Sequence, residues 1–280
     1  MARLFGTDGV RGIANEELTC DLTYRLGKAG AYVLTKSTHH SPTLIIGKDT
    51  RISGDMLEAA LISGICAMGA NVIRLGVVPT PAVAYLVREL NADAGVMISA
   101  SHNPMEHNGI KFFNSNGYKL SDELEDEIEA LLYDDETLKP KTGAEIGRVK
   151  MNHKAVDTYV DFVASTISCD LSDVKCLVDC ANGSASTTAA KLFAKLGAKA
   201  EIINNEPNGV NINDHCGSTH MEMLSELVKK GDYQCGIAFD GDADRCLVVD
   251  ENGNLVDGDK MIACCACNLK RKGKLKNNAA

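Results

Sequence analysis

Two separate stretches of this chain carry the same succession of apolar patterns, and that succession fixes the class of fold. From Thr43 to Gly76, Leu44-Ile45-Ile46 is a short apolar run, Met56 to Met68 is apolar at helical spacing, and Val72-Ile73-Arg74-Leu75 is apolar again. Short apolar runs on either side of a helical period read as strand, helix, strand. The order returns from Lys175 to Asn204, as Cys176-Leu177-Val178, then Thr187 to Leu196, then Ala200-Glu201-Ile202-Ile203. Both helices end in Gly-Ala, at Gly69-Ala70 and Gly197-Ala198, where a glycine suits the left-handed turn that closes a helix. Such a unit buries its faces only within a layered sheet, so the repeat predicts two α/β domains of similar topology. A length of 280 residues accommodates about two domains at roughly 150 residues each. The boundary is expected near residue 150, because Asp134 to Lys150 holds Pro140 and Gly143, shows little periodicity and reads as a linker.

Between the repeats, Ser121 to Tyr133 is acidic, with Leu124, Ile128, Leu131 and Leu132 at helical spacing. Ser121 is placed to cap this helix, and Asp122 and Glu123 suit the positive end of its dipole. After Asp250 the sequence predicts a hairpin at Glu251-Asn252-Gly253-Asn254 and a helix from Asp257 to about Lys272, its basic end Lys270-Arg271-Lys272 placed where the dipole favours cations. The residues past the hairpin are too few for another domain. Lys and Arg number 29 against 38 Asp and Glu, a net charge of −9, the wrong sign for a chain held on nucleic acid by its overall field. Any anionic ligand then needs local cations or a metal. No signal peptide or membrane-spanning run is evident, and the eleven cysteines contain no CxxC. The expectation is a cytoplasmic protein with reduced thiols, Cys176 and Cys264 serving core packing among apolar neighbours.

The strongest local feature is Gly236-Ile237-Ala238-Phe239-Asp240-Gly241-Asp242-Ala243-Asp244-Arg245, followed by Cys246-Leu247-Val248-Val249. An apolar strand runs into aspartates at alternate positions, whose side chains point the same way in extended backbone. Three converging carboxylates repel unless a cation sits between them, and oxygen-only ligands favour Mg²⁺. An EF-hand fits Asp240, Asp242, Asp244 and Glu251 at the twelfth position, but Arg245 stands where glycine is required and strands replace the flanking helices. A haloacid-dehalogenase-type phosphohydrolase also places Asp-x-Asp after a strand, with Asp240 as nucleophile, but expects Thr or Val in place of Asp244.

Three weaker features accompany it. Ile98-Ser99-Ala100-Ser101-His102-Asn103-Pro104 leaves an apolar run and has no hydrolase elbow around Ser101. A phosphorylated Ser101 would carry about −1.5 to −2 charge and add a ligand for Mg²⁺. Asn108-Gly109-Ile110-Lys111-Phe112-Phe113 reads as a strand with Lys111 facing away from Ile110 and Phe112. A lysine beside a phosphoserine can move a proton to or from a sugar hydroxyl. Phe5-Gly6-Thr7-Asp8-Gly9-Val10-Arg11-Gly12 matches neither a Walker loop nor a dinucleotide fingerprint, but its glycines let backbone amides approach a phosphate while Arg11 supplies charge.

In this order, and together with Gly47-Lys48-Asp49-Thr50-Arg51-Ile52-Ser53-Gly54, these motifs resemble the α-D-phosphohexomutase superfamily over essentially the whole chain. The pairing of Ser-His-Asn-Pro with Asp-Gly-Asp-x-Asp-Arg carries the resemblance; the glycine loops alone would not. Asn211-Ile212-Asn213 followed by Cys216-Gly217-Ser218-Thr219-His220 is similar to the bacterial branch that interconverts glucosamine 6-phosphate and glucosamine 1-phosphate for UDP-N-acetylglucosamine and cell-wall precursor synthesis. The resemblance implies an α/β protein with two similar domains, their mixed sheets sandwiched by helices: residues 1–150 with the phosphoserine loop, 151–255 with the metal loop, and 256–280 as the start of an incomplete third.

It implies that phosphorylated Ser101 donates its phosphoryl group to a phosphosugar, giving a bisphosphate that reorients and returns the other group. Mg²⁺ would be held by Ser101, Asp240, Asp242 and Asp244, with a sugar 1,6-bisphosphate as activator. Lys111 would be the general acid/base, and His102, Arg11 and Arg245 would orient or neutralise the phosphoserine, while Lys48 and Arg51 brace it from behind. A homodimer is left open; nucleic-acid and membrane partners are not expected. Family members have four domains, so the chain is expected to be a fragment with little turnover. A phosphomannomutase or phosphoglucomutase of the same superfamily, a Mg²⁺-dependent phosphohydrolase using Asp240, and a non-enzymatic binding fragment stay open.

Overall fold

The computed structural model describes residues 3–278. Its first sheet takes β1 (Val10–Ile13), β2 (Thr43–Lys48), β3 (Asn71–Val77), β4 (Ala94–Ile98), β5 (His107–Asn114) and β6 (Val149–Met151) in the order β1-β5-β4-β2-β3-β6. Strands β4, β2, β3 and β6 run parallel, while β5 and β1 close one edge antiparallel. The second sheet is built from β7 (Lys175–Asp179), β8 (Lys199–Ile203), β9 (Cys235–Phe239), β10 (Cys246–Asp250) and β11 (Leu255–Val256), ordered β11-β10-β9-β7-β8. It too is mixed, parallel from β9 through β7 to β8 and antiparallel at β10 and β11. The expected pair of mixed α/β layers is what the chain forms.

Helices cover both faces of each sheet, which is why the central strands read as unbroken apolar runs. Leu44 and Ile46 face α1 (Cys20–Thr35), α2 (Ser53–Ala67) and α4 (Asp122–Leu131), and Ile45 between them faces α3 (Thr80–Glu89) and α5 (Ala155–Ser165). In the second sheet, Cys176 and Val178 join the core under α6 (Ala189–Lys195), and Leu177 joins the one under α7 (Met221–Lys230). Each fully buried Leu or Ile contributes about 1.5–3 kcal/mol. Helices α1 and α2 approach so closely that a Cβ added at Gly64 would lie 2.1 Å from the Tyr24 carbonyl oxygen. Gly64→Ala must therefore push two backbones apart and is expected to destabilise the fold by about 1–3 kcal/mol, read as a lower urea midpoint at unchanged slope.

Several local expectations need correction. The stretch 134–150 is tied down: Lys141 N–H donates to the Ala67 carbonyl at 2.7 Å, Gly147 N–H to Cys66 at 3.0 Å, and the segment ends in β6 beside β3. Ser121 stands at the N-cap of α4, but its side chain bonds no helix N–H; it contacts the Glu123 carboxyl, held below its usual range by that bond. The glycine loop before Arg11 runs into β1, a strand the sequence did not reveal, which pairs Arg11 with Gly109 of β5. Burial pushes the Cys176 thiol up to about 11, as suits an inert packing residue. Cys264, by contrast, is exposed on α8 (Gly258–Arg271), a helix with no buried residue. The hairpin forms as expected, with Val249 opposite Leu255, and Asp257 caps α8 by accepting from Lys260 N–H at 3.0 Å. All eleven cysteines are free. Among the described residues, no helix is long and apolar enough to cross a membrane.

Candidate active site between the two sheets

The sheets meet at the carboxyl ends of their strands, the usual place for ligands in open α/β layers. The chain leaves β2 at Asp49, β4 at Ser99 and β9 at Asp240, and the three loops converge. Ile52 N–H donates to the Gly209 carbonyl at 2.9 Å, and the Thr50 hydroxyl donates to the Asn182 carbonyl at 2.6 Å, stitching the first layer to the second.

Ser101 is held on every side. Its φ of 55° lies in the left-handed region, a conformation that non-glycine residues adopt only when their surroundings impose it. Its N–H donates to Ser99 Oγ at 2.9 Å, and its carbonyl accepts from Arg51 Nη2 at 3.0 Å and Asn213 Nδ2 at 2.9 Å. Its Oγ donates to Asp240 Oδ2 at 2.6 Å, although the two residues are 139 positions apart. Arg51 is fully buried; besides its ion pair with Asp49 at 2.9 Å, it donates to the Asn103 carbonyl at 2.8 Å and to that of Pro104. A Cβ at Gly241 would meet the Ser101 carbonyl oxygen at 2.6 Å, so only glycine admits this approach.

Facing Ser101, one oxygen from each of Asp240, Asp242 and Asp244 lies within 4.8 Å of the others. Burial, reinforced by the Asp242 charge, pushes the Asp240 carboxyl up to about 7. Burial also works to raise Asp242, but the Lys111 charge and the hydrogen bonds to its carboxylate outweigh it and hold Asp242 below its ordinary range. Lys111 donates to Asp242 Oδ2 at 2.8 Å and reaches Asp244 Oδ2 at 3.5 Å. The other oxygen, Asp242 Oδ1, is buried and has no partner. An unpaired buried carboxylate oxygen is costly, and the one lysine at hand reaches only Asp242 and Asp244 of the three carboxylates. These residues fit a hard divalent cation such as Mg²⁺, which takes oxygen ligands.

His102 lies at the mouth, its Nδ1 3.4 Å from Ser101 Oγ. Burial and then the charges of Arg245 and Arg11 depress its pKa. Arg11 pairs with Asp8 at 3.1 Å and leaves its buried Nε unpaired, while Arg245 contributes a backbone N–H to Asp240 Oδ1 at 3.1 Å. Ser101, His102, Lys111 and the three aspartates thus lie together, and Arg245 joins them through its backbone N–H. Lys48 is not a brace for the serine loop: it pairs with Asp55 and, at 2.7 Å, with Glu58 of α2, which Arg74 clamps from the other side. Sequence reasoning missed Thr80, whose hydroxyl donates to Asp242 Oδ2 at 2.6 Å, and the Ser99 hydroxyl, which donates to Asp49 at 2.6 Å. It treated Asn213 as part of a substrate signature, whereas its amide holds the serine loop. Asn213 does lie in a singled-out stretch; Thr80, in Pro-Thr-Pro, had no signal at all.

Residues 2–139 match the phosphoglucomutase/phosphomannomutase alpha/beta/alpha domain I, and residues 157–253 match alpha/beta/alpha domain II. The chain is 58% identical over 280 residues to a phosphoglucosamine mutase of Clostridium botulinum strain Kyoto, covering 99% of this chain and 62% of that protein. It is 58% identical over 279 residues to one of Acetivibrio thermocellus, with the same coverage. The chain thus spans about 62% of the length of these curated relatives. A phosphoglucomutase/phosphomannomutase family protein of Burkholderia thailandensis superposes with a TM-score of 0.82 at 27% identity, covering 96% of this chain and 59% of that one. With both domains matched in order and the same fold found in that solved structure, the chain belongs to the phosphoglucomutase/phosphomannomutase family.

Proposed function

We propose that the protein is a phosphoglucosamine mutase that interconverts glucosamine 6-phosphate and glucosamine 1-phosphate by passing a phosphoryl group through Ser101. The observation that carries this reading is the 2.6 Å hydrogen bond from Ser101 Oγ to Asp240 across the two domains. It sets a single buried hydroxyl against a cluster of carboxylates that needs a cation. The choice of amino sugar rests on the relatives that share 58% of the sequence.

Mg²⁺, when bound by Asp240, Asp242 and Asp244, supplies positive charge at the oxygens of the transferring group. The chain's own residues do the rest. With Ser101 phosphorylated, the Oγ–P bond breaks as a sugar hydroxyl oxygen bonds to phosphorus; the hydroxyl proton is relayed through Lys111 Nζ, which gives up one proton as it takes this one, and Ser101 Oγ leaves as a hydroxyl. In the return step Ser101 Oγ, its hydroxyl oriented by Asp240 Oδ2, bonds to the second phosphoryl group of the sugar 1,6-bisphosphate as the sugar O–P bond breaks, and the serine proton passes back by the same relay to the sugar oxygen that leaves. Arg11, Arg245 and His102 orient or neutralise the phosphoserine in this reading, the two guanidinium groups offsetting its charge. Arg51 and Asn213 keep the serine from moving, which matters because phosphoryl transfer depends on position. Eleven free thiols support a reducing, cytoplasmic setting for this chemistry.

The test is covalent. After incubation with glucose 1,6-bisphosphate and Mg²⁺, the chain is expected to gain one phosphoryl group mapped to Ser101, and Ser101→Ala is expected to gain none. A phosphoryl group found on Asp240 instead, or retained by Ser101→Ala, would replace the mutase reading with that of an aspartate-dependent phosphohydrolase.

A further inference from the structure

Asp242 is shaped by residues of the other domain. Thr80 opens α3, and its backbone N–H, one of the helix donors left without a partner inside the helix, donates to the Asp242 carbonyl at 2.8 Å. Its hydroxyl donates to Asp242 Oδ2 at 2.6 Å. One residue of the first domain therefore grips both the main chain and the side chain of the central aspartate in the second. Lys111 Nζ occupies the remaining approach to the same Oδ2 at 2.8 Å. The consequence is an asymmetric carboxylate: Oδ2 has two donors, while the buried Oδ1 has none.

We infer that Thr80 is a positioning residue for the metal loop, fixing the Asp242 carboxylate so that Oδ1 is presented to a divalent cation. This rests on the reading of Asp240, Asp242 and Asp244 as the Mg²⁺ site. Three observations carry it. The hydroxyl can rotate to donate to only one oxygen, and it is committed to the one that Lys111 also takes. The α3 N-terminus carries partial positive charge, which favours the Asp242 carboxylate beside it. Both Thr80 and Asp242 are buried, at 8% and 0% exposure, so the bond between them is shielded from bulk water. Without that bond the carboxylate is free to turn about χ2 and share both oxygens with Lys111, and the loop loses the oxygen it holds open. Because Thr80 belongs to the first domain and the aspartates to the second, cation affinity also becomes a report on whether the two domains are in contact.

The test is Mn²⁺ binding, a stand-in with the same preference for oxygen ligands, followed by electron paramagnetic resonance of the free ion in the 280-residue chain. Partners that orient metal ligands typically cost 10–100-fold in affinity when removed. Thr80→Val keeps the shape and deletes the hydroxyl, and is expected to weaken Mn²⁺ binding by about 10-fold or more. Thr80→Ser keeps the hydroxyl and deletes the methyl, and is expected to bind within about 3-fold of the parent. Thr80→Ala provides a second hydroxyl-free chain should the valine variant not fold, with circular dichroism confirming the fold of each. Equal affinity in the parent and a folded hydroxyl-free variant would overturn the role of Thr80 while leaving the metal site standing. A serine variant as weak as the valine variant would also overturn it, since packing of the methyl group would then be responsible. A parent chain that binds no Mn²⁺ would instead overturn the metal reading of the three aspartates, and the inference with it.

Discussion

Arg51→Met is expected to cost about 3–5 kcal/mol, the penalty for removing one partner of a buried ion pair. Both side chains of the Asp49–Arg51 pair are fully buried, 2.9 Å apart. Methionine restores the volume but neither the charge nor the donors. Asp49 is left as an uncompensated carboxylate, and the carbonyls of Ser101, Asn103 and Pro104 lose the guanidinium that gathers them. Against a typical total stability of about 5–15 kcal/mol this is a large fraction, and the damage falls on the loop that carries Ser101. The pH dependence has a definite sign. Burial holds the Asp49 carboxyl above its ordinary value even though Arg51 and Ser99 oppose the shift. The folded chain thus binds this proton more readily than the unfolded chain, so the cost of burying the charge is present above the folded pKa and fades as pH falls through it. Without Arg51 the folded pKa rises further, and the deficit of the variant shrinks on acidification. Urea unfolding at neutral and at mildly acidic pH measures both quantities. A neutral-pH deficit under about 1 kcal/mol, the scale of an exposed pair, would show that the buried pair contributes no more than a surface one. Should the variant fail to fold, Asp49→Leu combined with Arg51→Met is expected to recover part of the loss, because it removes the orphaned charge.

That pair also marks how far the sequence could be read. Arg51 stood in a glycine-flanked motif and was expected behind the site, but its neighbour Lys48, in the same motif, turns to Glu58 and Asp55 instead. Nothing in the spacing separates them: the two side chains differ only in which loop or helix the tertiary fold brings within reach. The strands were legible because burial on both faces leaves continuous apolar runs such as Leu44-Ile45-Ile46. Strand β1 was not, since Val10-Arg11-Gly12-Ile13 has one charged and one glycine position and draws its stability from pairing with β5. Asp240, Asp242 and Asp244 announced themselves because three carboxylates at alternate positions demand compensation. Thr80 did not, because a threonine at a helix start has an ordinary structural explanation. Its partner lies 162 residues away. Cys264 was misread for the same reason in reverse: apolar neighbours in sequence imply burial only where another element packs on the helix, and α8 buries none of its residues.

The second large effect concerns Lys111. Lys111→Met is expected to slow phosphoryl transfer to Ser101 from glucose 1,6-bisphosphate by about 100- to 10,000-fold, the range for losing a positioned acid–base group. In the register of β5, Lys111 lies opposite Met97 of β4 while Ile110 and Phe112 enter the core on the other face. This alternation delivers an almost buried ammonium to the carboxylate cluster, 2.8 Å from Asp242. Two roles are then available to it: neutralising charge on Asp242, or moving the proton of the reacting sugar hydroxyl. Lys111→Arg separates them, because a guanidinium keeps the charge but does not give up its proton in a protein. If Lys111 moves the proton, the arginine variant is expected to be as slow as the methionine variant while binding Mn²⁺ nearly as well as the parent. If it serves only as a counter-charge, arginine restores most of the rate. Rapid-quench measurement of phosphoserine by intact mass, run beside the Mn²⁺ titration, reads both quantities. Recovery of the rate by arginine would remove Lys111 from the proton path, leaving its ion pair with Asp242 as its whole contribution.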